Sequence, residues 1–169
     1  MSNDPKDAPS SMPSRRFEGR EDFRQLVRDA LACAALEGWQ EIAISDASFE
    51  EWPLGERVVE ESLQAWSKSG RRFFILARNY DELIRRHARF VRWRGTWSHI
   101  VTAVACPSAA ELEIPSAILS PAWALERRDI ANSIGYCGSE PRRRVLLREL
   151  LNEWTRKSSP GFPSSTIGL

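Results

Sequence analysis

The sequence predicts an α/β fold in which a mixed sheet carries helices on both faces. Over the first two thirds of the chain, segments with a helical repeat alternate with short apolar runs, an order that favours parallel strands covered by helices. Three later strand-like segments have no helix between them, which favours antiparallel pairing. A length of 169 residues with 42% hydrophobic and 28% charged positions is typical of one globular domain.

The first half of the chain predicts two helices and two strands. Apolar residues recur every three or four positions over residues 19–36, which predicts a helix that ends before Gly38. Residues 41–45 have the length of a short strand. Residues 54–66 follow Pro53 and form a second amphipathic pattern. Residues 72–77 are apolar almost throughout, which indicates a strand buried on both faces.

The second half predicts two further helices and four strands. Asn79 can cap a helix that runs to residue 91, with His87 on its apolar side as a packed core residue. Residues 99–106 form an apolar strand, and residues 107–115 form a polar loop. Residues 116–119, 123–127 and 133–136 are weaker strand candidates, and residues 141–157 have the leucine repeat of a closing helix.

The domain is predicted to span residues 17–157. Residues 1–16 contain three prolines among polar residues and predict a disordered arm, and residues 158–169 predict a Ser/Pro/Gly-rich tail. The sequence has no signal-peptide pattern and no run of roughly 18 apolar residues, so we expect a soluble, cytoplasmic protein without membrane contact. Cys33, Cys106 and Cys137 are odd in number and lack paired ligand spacing, so we expect reduced thiols and no metal site.

Charge is distributed unevenly, although the net charge is only +1. Residues 18–61 carry 12 acids and 4 bases, whereas residues 71–169 carry 9 acids and 16 bases. This separation favours either the steering of an anionic ligand to the second part or head-to-tail attraction between copies. Of the 24 basic residues 21 are arginines, which we attribute first to a GC-rich genome and second to phosphate recognition.

Polar side chains at the predicted strand ends are the first candidates for a site. Ligands of open α/β sheets gather beyond the carboxyl ends of the strands, where Asp46, Arg78 and Asn79 follow their strands and His99 flanks the third. A carboxylate, a guanidinium and an imidazole can together bind phosphate or move a proton. In the structural alternative, Asp46 caps a turn, Arg78 pairs with a nearby carboxylate, and His99 is a hydrogen-bonded residue at a strand start.

A basic face is predicted on the third helix. It consists of Arg85, Arg86, Arg89 and Arg92, and it is followed by tryptophans within residues 93–97. Such a basic and aromatic surface is typical of nucleic-acid binding. The alternative is an ordinary solvated helix face. The chain has no Gly-rich phosphate loop, GxSxG elbow or HExxH pair, and we predict no cofactor.

The strand that begins at His99 resembles the signature of the phospholipase D superfamily, in which HxKxxxxD is followed by a Gly/Ser-rich strand end and an Asn. The order of elements over residues 17–156 is similar to one half of that fold. The Trp-Pro-Leu segment at residues 52–54, the aromatic-rich stretch before His99 and the C-terminal Gly-Leu are similar to a family of uncharacterised proteobacterial proteins of this type. The resemblance implies a phospholipase D-like half domain.

The catalytic motif of that superfamily is eroded in this sequence. The resemblance implies that His99 stands at the position of the nucleophile, but Val101 takes the position of the phosphate-binding Lys, and Cys106 takes that of the Asp. Ser120 stands near the place of the motif's Ser, and Asn132 near that of its Asn. Valine supplies no positive charge to the reacting phosphate, and the loss of such stabilisation costs several kcal/mol of barrier.

Three functional hypotheses follow. The first is a non-catalytic scaffold that binds a protein partner or a small anion, and the second is a nucleic-acid or phosphate-binding module that uses residues 85–97. The third is a residual phosphodiesterase in which Arg78 substitutes for the missing lysine beside His99. Because active superfamily members join two halves about a pseudo-twofold axis, the resemblance also implies a symmetric homodimer.

Two further segments have open alternatives. The three arginines at residues 142–144 open the last helix, where they either bind an anion or an acidic partner or form surface ion pairs with Glu140 and the acidic first part. Phe162, Ile167 and Leu169 in the tail dock either on the domain or on another protein.

Overall fold

Eight strands form one mixed sheet in the computed structural model, which describes residues 10–163. In chain order they are β1 Arg15–Glu18, β2 Glu41–Ser45, β3 Arg72–Ala77, β4 Val101–Ala105, β5 Ser116–Leu119, β6 Ala124–Asp129, β7 Ile134–Gly138 and β8 Ser159–Pro160. Their order across the sheet is β1-β7-β6-β5-β2-β3-β4-β8. Strands β2, β3 and β4 are parallel, and the other neighbours are antiparallel. The predicted α/β class with a mixed sheet is confirmed.

Helices cover both faces of this sheet. They are α1 Arg20–Glu37, α2 Arg57–Trp66, α3 Asp81–Arg86, α4 Ala88–Thr96 and α5 Pro141–Arg156. Helices α1, α2 and α4 pack in a large core with Ile44 and Ile75. Helix α5 packs on the opposite face, where its leucines share a smaller core with Ala43 and Leu76. Successive residues of β2 and β3 therefore enter different cores, as the alternation of side chains along a strand requires. None of the helices in residues 10–163 combines the length and the hydropathy of a membrane span.

Helix α1 shows how the apolar repeat fixes an element. Phe23, Leu26 and Ala30 follow the helical spacing, and all are buried. The helix ends at Gly38, which has a left-handed φ of 70° and whose N–H donates to the Ala34 carbonyl. A residue with a β-carbon is disfavoured there by about 1–2 kcal/mol. Gly38 thus sets the turn that leads the chain into β2.

Two predicted elements around His87 and His99 are corrected. The third predicted helix is divided into α3 and α4 at His87, which has φ −122° and ψ 60°. The His87 ring is buried, and its Nε2 lies 2.8 Å from the Phe49 carbonyl oxygen. The helix is interrupted at the residue that makes this contact with a distant loop. The predicted strand over residues 99–106 starts later, because Ser98–Ile100 forms a 3₁₀ turn before β4.

The N-terminal end of the folded domain extends beyond the predicted boundary at residue 17. Arg15 and Arg16 were expected in a disordered arm, but they belong to β1 and pair with β7. Met12 is buried as well. These residues are ordered because they pair with a strand about 120 positions away, and no local sequence pattern indicates that pairing. Residues 1–9 of the expected arm lie outside the described residues.

The C-terminal boundary at residue 157 is corrected in the same way. Ser159–Pro160 was expected in the tail but forms β8 beside β4. Phe162 is buried, with its ring 4.8 Å from that of Tyr80 and its carbonyl accepting from Arg94. The tail therefore docks on its own domain at Phe162. Ile167 and Leu169 lie outside the described residues.

Candidate functional site

The carboxyl edge of the parallel strands is occupied by a buried charge network around Arg127. Its guanidinium donates to Asp46 at 3.1 Å and to Glu51 at 2.5 Å. It also donates to the hydroxyls of Ser116 and Ser133 at 3.1 and 3.2 Å. The side chains of Arg127 and Asp46 are only 2% and 7% exposed. This network joins β2, β5 and β6, and loss of either charge would leave the other buried without its partner.

The other predicted site residues at this edge hold backbone groups. Asp46 also accepts a hydrogen bond from the N–H three residues later at 2.8 Å. Arg78 donates through Nε to the Ala109 carbonyl at 2.9 Å, and the Asn79 side chain accepts from the N–H two residues later at 3.2 Å. These contacts agree with the structural alternative, except that the partner of Arg78 is a carbonyl and not a carboxylate.

His99 lies at the opposite edge of the sheet, so its predicted grouping with Asp46 and Arg78 is wrong. It precedes β4, whose register with β3 places its start at the amino edge. Strands of five residues rise about 3.3 Å per residue, so roughly 15–20 Å separate the two edges. His99 is exposed, and its ring centre lies 5.5 Å from that of Trp97.

The motif positions that follow His99 are apolar or distant. Val101 is partly buried in β4. Cys106 follows the far end of β4, where its buried thiol donates to the Lys157 carbonyl at 3.6 Å. Neither side chain supplies a charge to the imidazole of His99.

Ser120 and Asn132 stabilise turns of the antiparallel part of the sheet. The buried hydroxyl of Ser120 donates to the Trp123 carbonyl at 2.9 Å between β5 and β6. Asn132 donates to the Asp129 carboxylate at 2.9 Å between β6 and β7. Three strand spacings of about 4.8 Å separate β5 from β4, so Ser120 is not a neighbour of His99.

The predicted basic helix face is partly neutralised by glutamates. Arg85 and Arg86 donate to Glu82 at 2.6 and 2.7 Å, and Arg92 donates to Glu60 at 3.0 Å. Arg89 donates to a carbonyl of the loop before α2 at 2.9 Å. Three of the four arginines are therefore paired with glutamates, which reduces the attraction of this face for phosphates.

A cleft of about 580 Å³ opens beside His99, between α5 and the amino edge of the sheet. We call it the His99 cleft. Phe74 borders it, and its polar lining includes Glu41, Arg72, His99, Thr102, Arg148 and Asn152. The cleft joins the exposed imidazole to two arginines that come from different elements, β3 and α5. Residues 10–163 contain no group of three or more His, Cys, Asp or Glu side chains placed to hold a metal ion.

Glu41 connects the two arginines of the His99 cleft. Arg72 donates to one carboxylate oxygen at 2.9 Å, and Arg148 donates to the other at 2.7 Å. The side chains of Arg72 and Arg148 are 76% and 39% exposed, so both guanidiniums keep donors that face solvent. Arg71 also borders the cleft, but its buried guanidinium donates to the Trp66 carbonyl. The arrangement suits an oxyanion that several N–H donors contact together.

Sequence reasoning missed Arg72 and Arg148. Each lies in a strand or helix that was predicted from its apolar residues, and the polar residues of these elements were not considered as site candidates. Glu41 is 31 positions from Arg72 and 107 positions from Arg148. One signal was available, since Glu41 and Arg72 each open a short strand and parallel neighbours begin at the same edge. Arg148 offers no such signal, because the packing of α5 on the sheet brings it there.

Comparisons with known proteins give information on the fold. No family model matches this chain, and no curated protein matches it. Among solved structures, it is similar to TrmBL2, described as an archaeal chromatin protein with a novel mode of DNA binding. The TM-score is 0.62 at 14% identity, and the likeness covers 91% of this chain but 56% of that one. At this identity only the fold is shared. The resemblance to phospholipase D-like proteins is not tested by these comparisons and stays a prediction.

Proposed function

We propose that this chain is a nucleic-acid-binding domain without phosphoryl-transfer activity, and that it contacts phosphates through the His99 cleft. The observation that carries the proposal is the pair of solvent-facing arginines, Arg72 and Arg148, which Glu41 holds at one opening. The fold shared with TrmBL2, an archaeal chromatin protein described as binding DNA, supports nucleic acid as the class of ligand.

The chemistry of the cleft fits a phosphodiester backbone. The guanidinium of arginine matches the spacing of phosphate oxygens and stays charged at every physiological pH. Glu41 already presents two oxygens to the two guanidiniums, so a phosphate finds donors that are oriented for an oxyanion. The neighbouring rings of His99 and Trp97 add a surface on which a base can stack.

The same geometry disfavours catalysis. An attack by His99 on phosphorus requires nearby cations that stabilise the developing charge. Val101 offers none, and Cys106 lies at the other edge of the sheet. In this proposal the two arginines of the cleft hold the phosphate, but the lysine and the acid of the catalytic motif are absent from positions 101 and 106. We therefore expect no turnover of a phosphodiester such as bis-p-nitrophenyl phosphate, and turnover that disappears in His99→Ala would refute the non-catalytic part of the proposal.

The binding test uses fluorescence anisotropy with a labelled 20-nucleotide single strand and the corresponding duplex. Two phosphate contacts give a slope of log K against log salt of about −1.4 for a single strand and about −1.8 for a duplex. Binding should therefore weaken about tenfold between 50 and 200 mM salt. Arg72→Gln/Arg148→Gln should weaken binding and remove most of this dependence. Glu41→Gln should strengthen binding, since it removes an internal competitor.

Arg85→Gln/Arg92→Gln is the matched control, because it deletes the same number of charges from the helix face that the glutamates neutralise. This variant should bind as the unmodified chain does. The proposal is overturned by an absence of binding at 50 mM salt. It is equally overturned if the helix-face variant loses affinity and the cleft variant does not.

A further inference from the structure

The outer face of α5 carries an aliphatic patch that the fold does not cover. Val145 and Leu146 are 56% and 57% exposed, and Leu150 is 36% exposed, whereas Leu147 and Leu151 on the inner face are buried. The other exposed large aliphatic residues in residues 10–163 are distributed over separate elements. Apolar side chains that cluster on one helix face are typical of an interaction surface.

A shallow groove continues this patch onto the sheet. A cavity of about 200 Å³ lies between α5 and strands β6 and β7, and Ala124, Tyr136, Leu146 and Leu150 border it. Arg143 lies over the Tyr136 ring at 3.9 Å and pairs with Glu140 at 3.1 Å. The ion-pair alternative for the arginines at residues 142–144 therefore applies to Arg143. Helix α5 leaves this part of the sheet open, so the helix and the groove form one continuous surface.

Opposite charges lie near the two ends of the outer face of α5. Arg142 is exposed one turn before Leu146. Glu153 lies about one turn after Leu150, is 57% exposed and is 3.7 Å from Lys157 in a surface ion pair. A second α5 that runs antiparallel and aligns Leu146 with Leu150 of its partner brings each Arg142 opposite a Glu153. A parallel arrangement places like charges together. The sequence of the helix therefore favours a twofold, antiparallel contact.

We infer that the outer face of α5 binds a second copy of this chain in an antiparallel, twofold arrangement. Its apolar part is formed by Val145, Leu146 and Leu150, and its ends are paired by Arg142 and Glu153. The His99 cleft is lined by Arg148 and Asn152 from another side of α5, so this contact leaves the cleft open. It is a different contact from the one implied by the phospholipase D resemblance, in which two half domains join at the catalytic motif.

The test measures the mass of the full chain by light scattering and sedimentation equilibrium between 1 and 100 μM. The unmodified chain should approach twice the mass of one chain. Arg142→Glu and Glu153→Arg should each weaken association at least tenfold, because each places like charges together in both symmetric contacts. The combined variant Arg142→Glu/Glu153→Arg exchanges the two charges and should restore the dimer.

Two aliphatic variants separate this contact from other routes to a dimer. Leu146→Asp should give a monomer, whereas Leu112→Asp, at a site that is 81% exposed in a 3₁₀ turn, should leave the dimer intact. The inference is overturned if the unmodified chain is monomeric at 100 μM or if Leu146→Asp remains dimeric. It is also overturned if the charge exchange fails to restore association. Nucleic-acid binding by the Leu146→Asp monomer reports separately on the His99 cleft.

Discussion

Arg127→Met is expected to destabilise the fold by about 3 kcal/mol, because it leaves a buried carboxylate without its cation. Removal of one partner from a buried ion pair costs about 3–5 kcal/mol, and the Asp46 side chain is only 7% exposed. Asp46 keeps hydrogen bonds from two backbone N–H groups at 3.2 and 2.8 Å, which places the effect near the lower end of that range. The contact of the guanidinium with the Phe23 ring at 4.3 Å is lost as well.

The predicted loss corresponds to a large change in melting temperature. With 169 residues and an unfolding entropy of about 2.1 cal/mol/K per residue, 3 kcal/mol lowers Tm by about 8–9 °C. Differential scanning calorimetry and urea unfolding measure this change directly. Arg128→Met is the control, because Arg128 is the next residue of β6, is 78% exposed and pairs with Glu126 at the surface. Its replacement should cost less than about 1 kcal/mol.

A double variant distinguishes a buried pair from simple packing. Asp46→Asn/Arg127→Met removes both buried charges, and it should be more stable than Arg127→Met alone since the remaining partner of Arg127, Glu51, is 33% exposed to solvent. If Arg127→Met melts within 2 °C of the unmodified protein, the argument that the carboxyl edge is structural is wrong. The same conclusion follows if Arg127→Met and Arg128→Met are destabilised equally.

Further predictions concern pH, the tail and the thiols. Burial lowers the pKa of His87. The contribution of His87 to the free energy of unfolding is therefore complete above the unfolded pKa of about 6.5 and decreases as the pH falls below it. The urea midpoint should change less between pH 7 and 5 in His87→Gln than in the unmodified protein. Burial tends to raise the pKa of Glu37, but the hydrogen bonds that its carboxylate accepts outweigh this effect and bring the pKa to about 2. The unmodified protein should therefore lose stability as the pH falls below about 4.5, and Glu37→Gln should reduce that loss. Phe162→Ala should cost about 3–5 kcal/mol and increase proteolysis after β8. Burial raises the pKa of Cys33 and Cys137, so both thiols should react slowly with Ellman's reagent until urea unfolds the chain.

The parts of the fold that could be predicted are those that local patterns determine. The repeats of α1 and α5 and the apolar runs of β2 and β3 identify these elements because their burial is periodic along the chain. The terminal strands β1 and β8 could not be predicted in this way. Strand β1 has one buried residue, Phe17, and β8 has only two residues, so pairing with distant strands decides both. The division of the third helix depends likewise on the contact of His87 with the Phe49 carbonyl.

The candidate site was predictable only at the level of single residues. His99 was identified from its place before a strand, but the rule that ligands gather at carboxyl ends placed it with Asp46 and Arg78. It precedes β4, whose start pairs with the start of β3, so it lies at the amino edge instead. The partners of His99 in the cleft, Arg72 and Arg148, depend on strand order and on the position of α5. Neither of these leaves a periodic signal in the sequence.

The two edges of the sheet differ in the free energy that it costs an anion to displace a carboxylate from its arginine. This difference favours the amino edge as the anion site. At the carboxyl edge an anion must displace Asp46 from Arg127, which breaks a buried pair at a cost of about 3–5 kcal/mol. At the amino edge it competes with Glu41 for Arg72 and Arg148. These pairs are more exposed, so each contributes nearer to the value for surface pairs, about 0.2–1 kcal/mol. A phosphate that gains similar hydrogen bonds at either edge therefore prefers the His99 cleft by at least about 1–2 kcal/mol, which is roughly a factor of 10 in affinity.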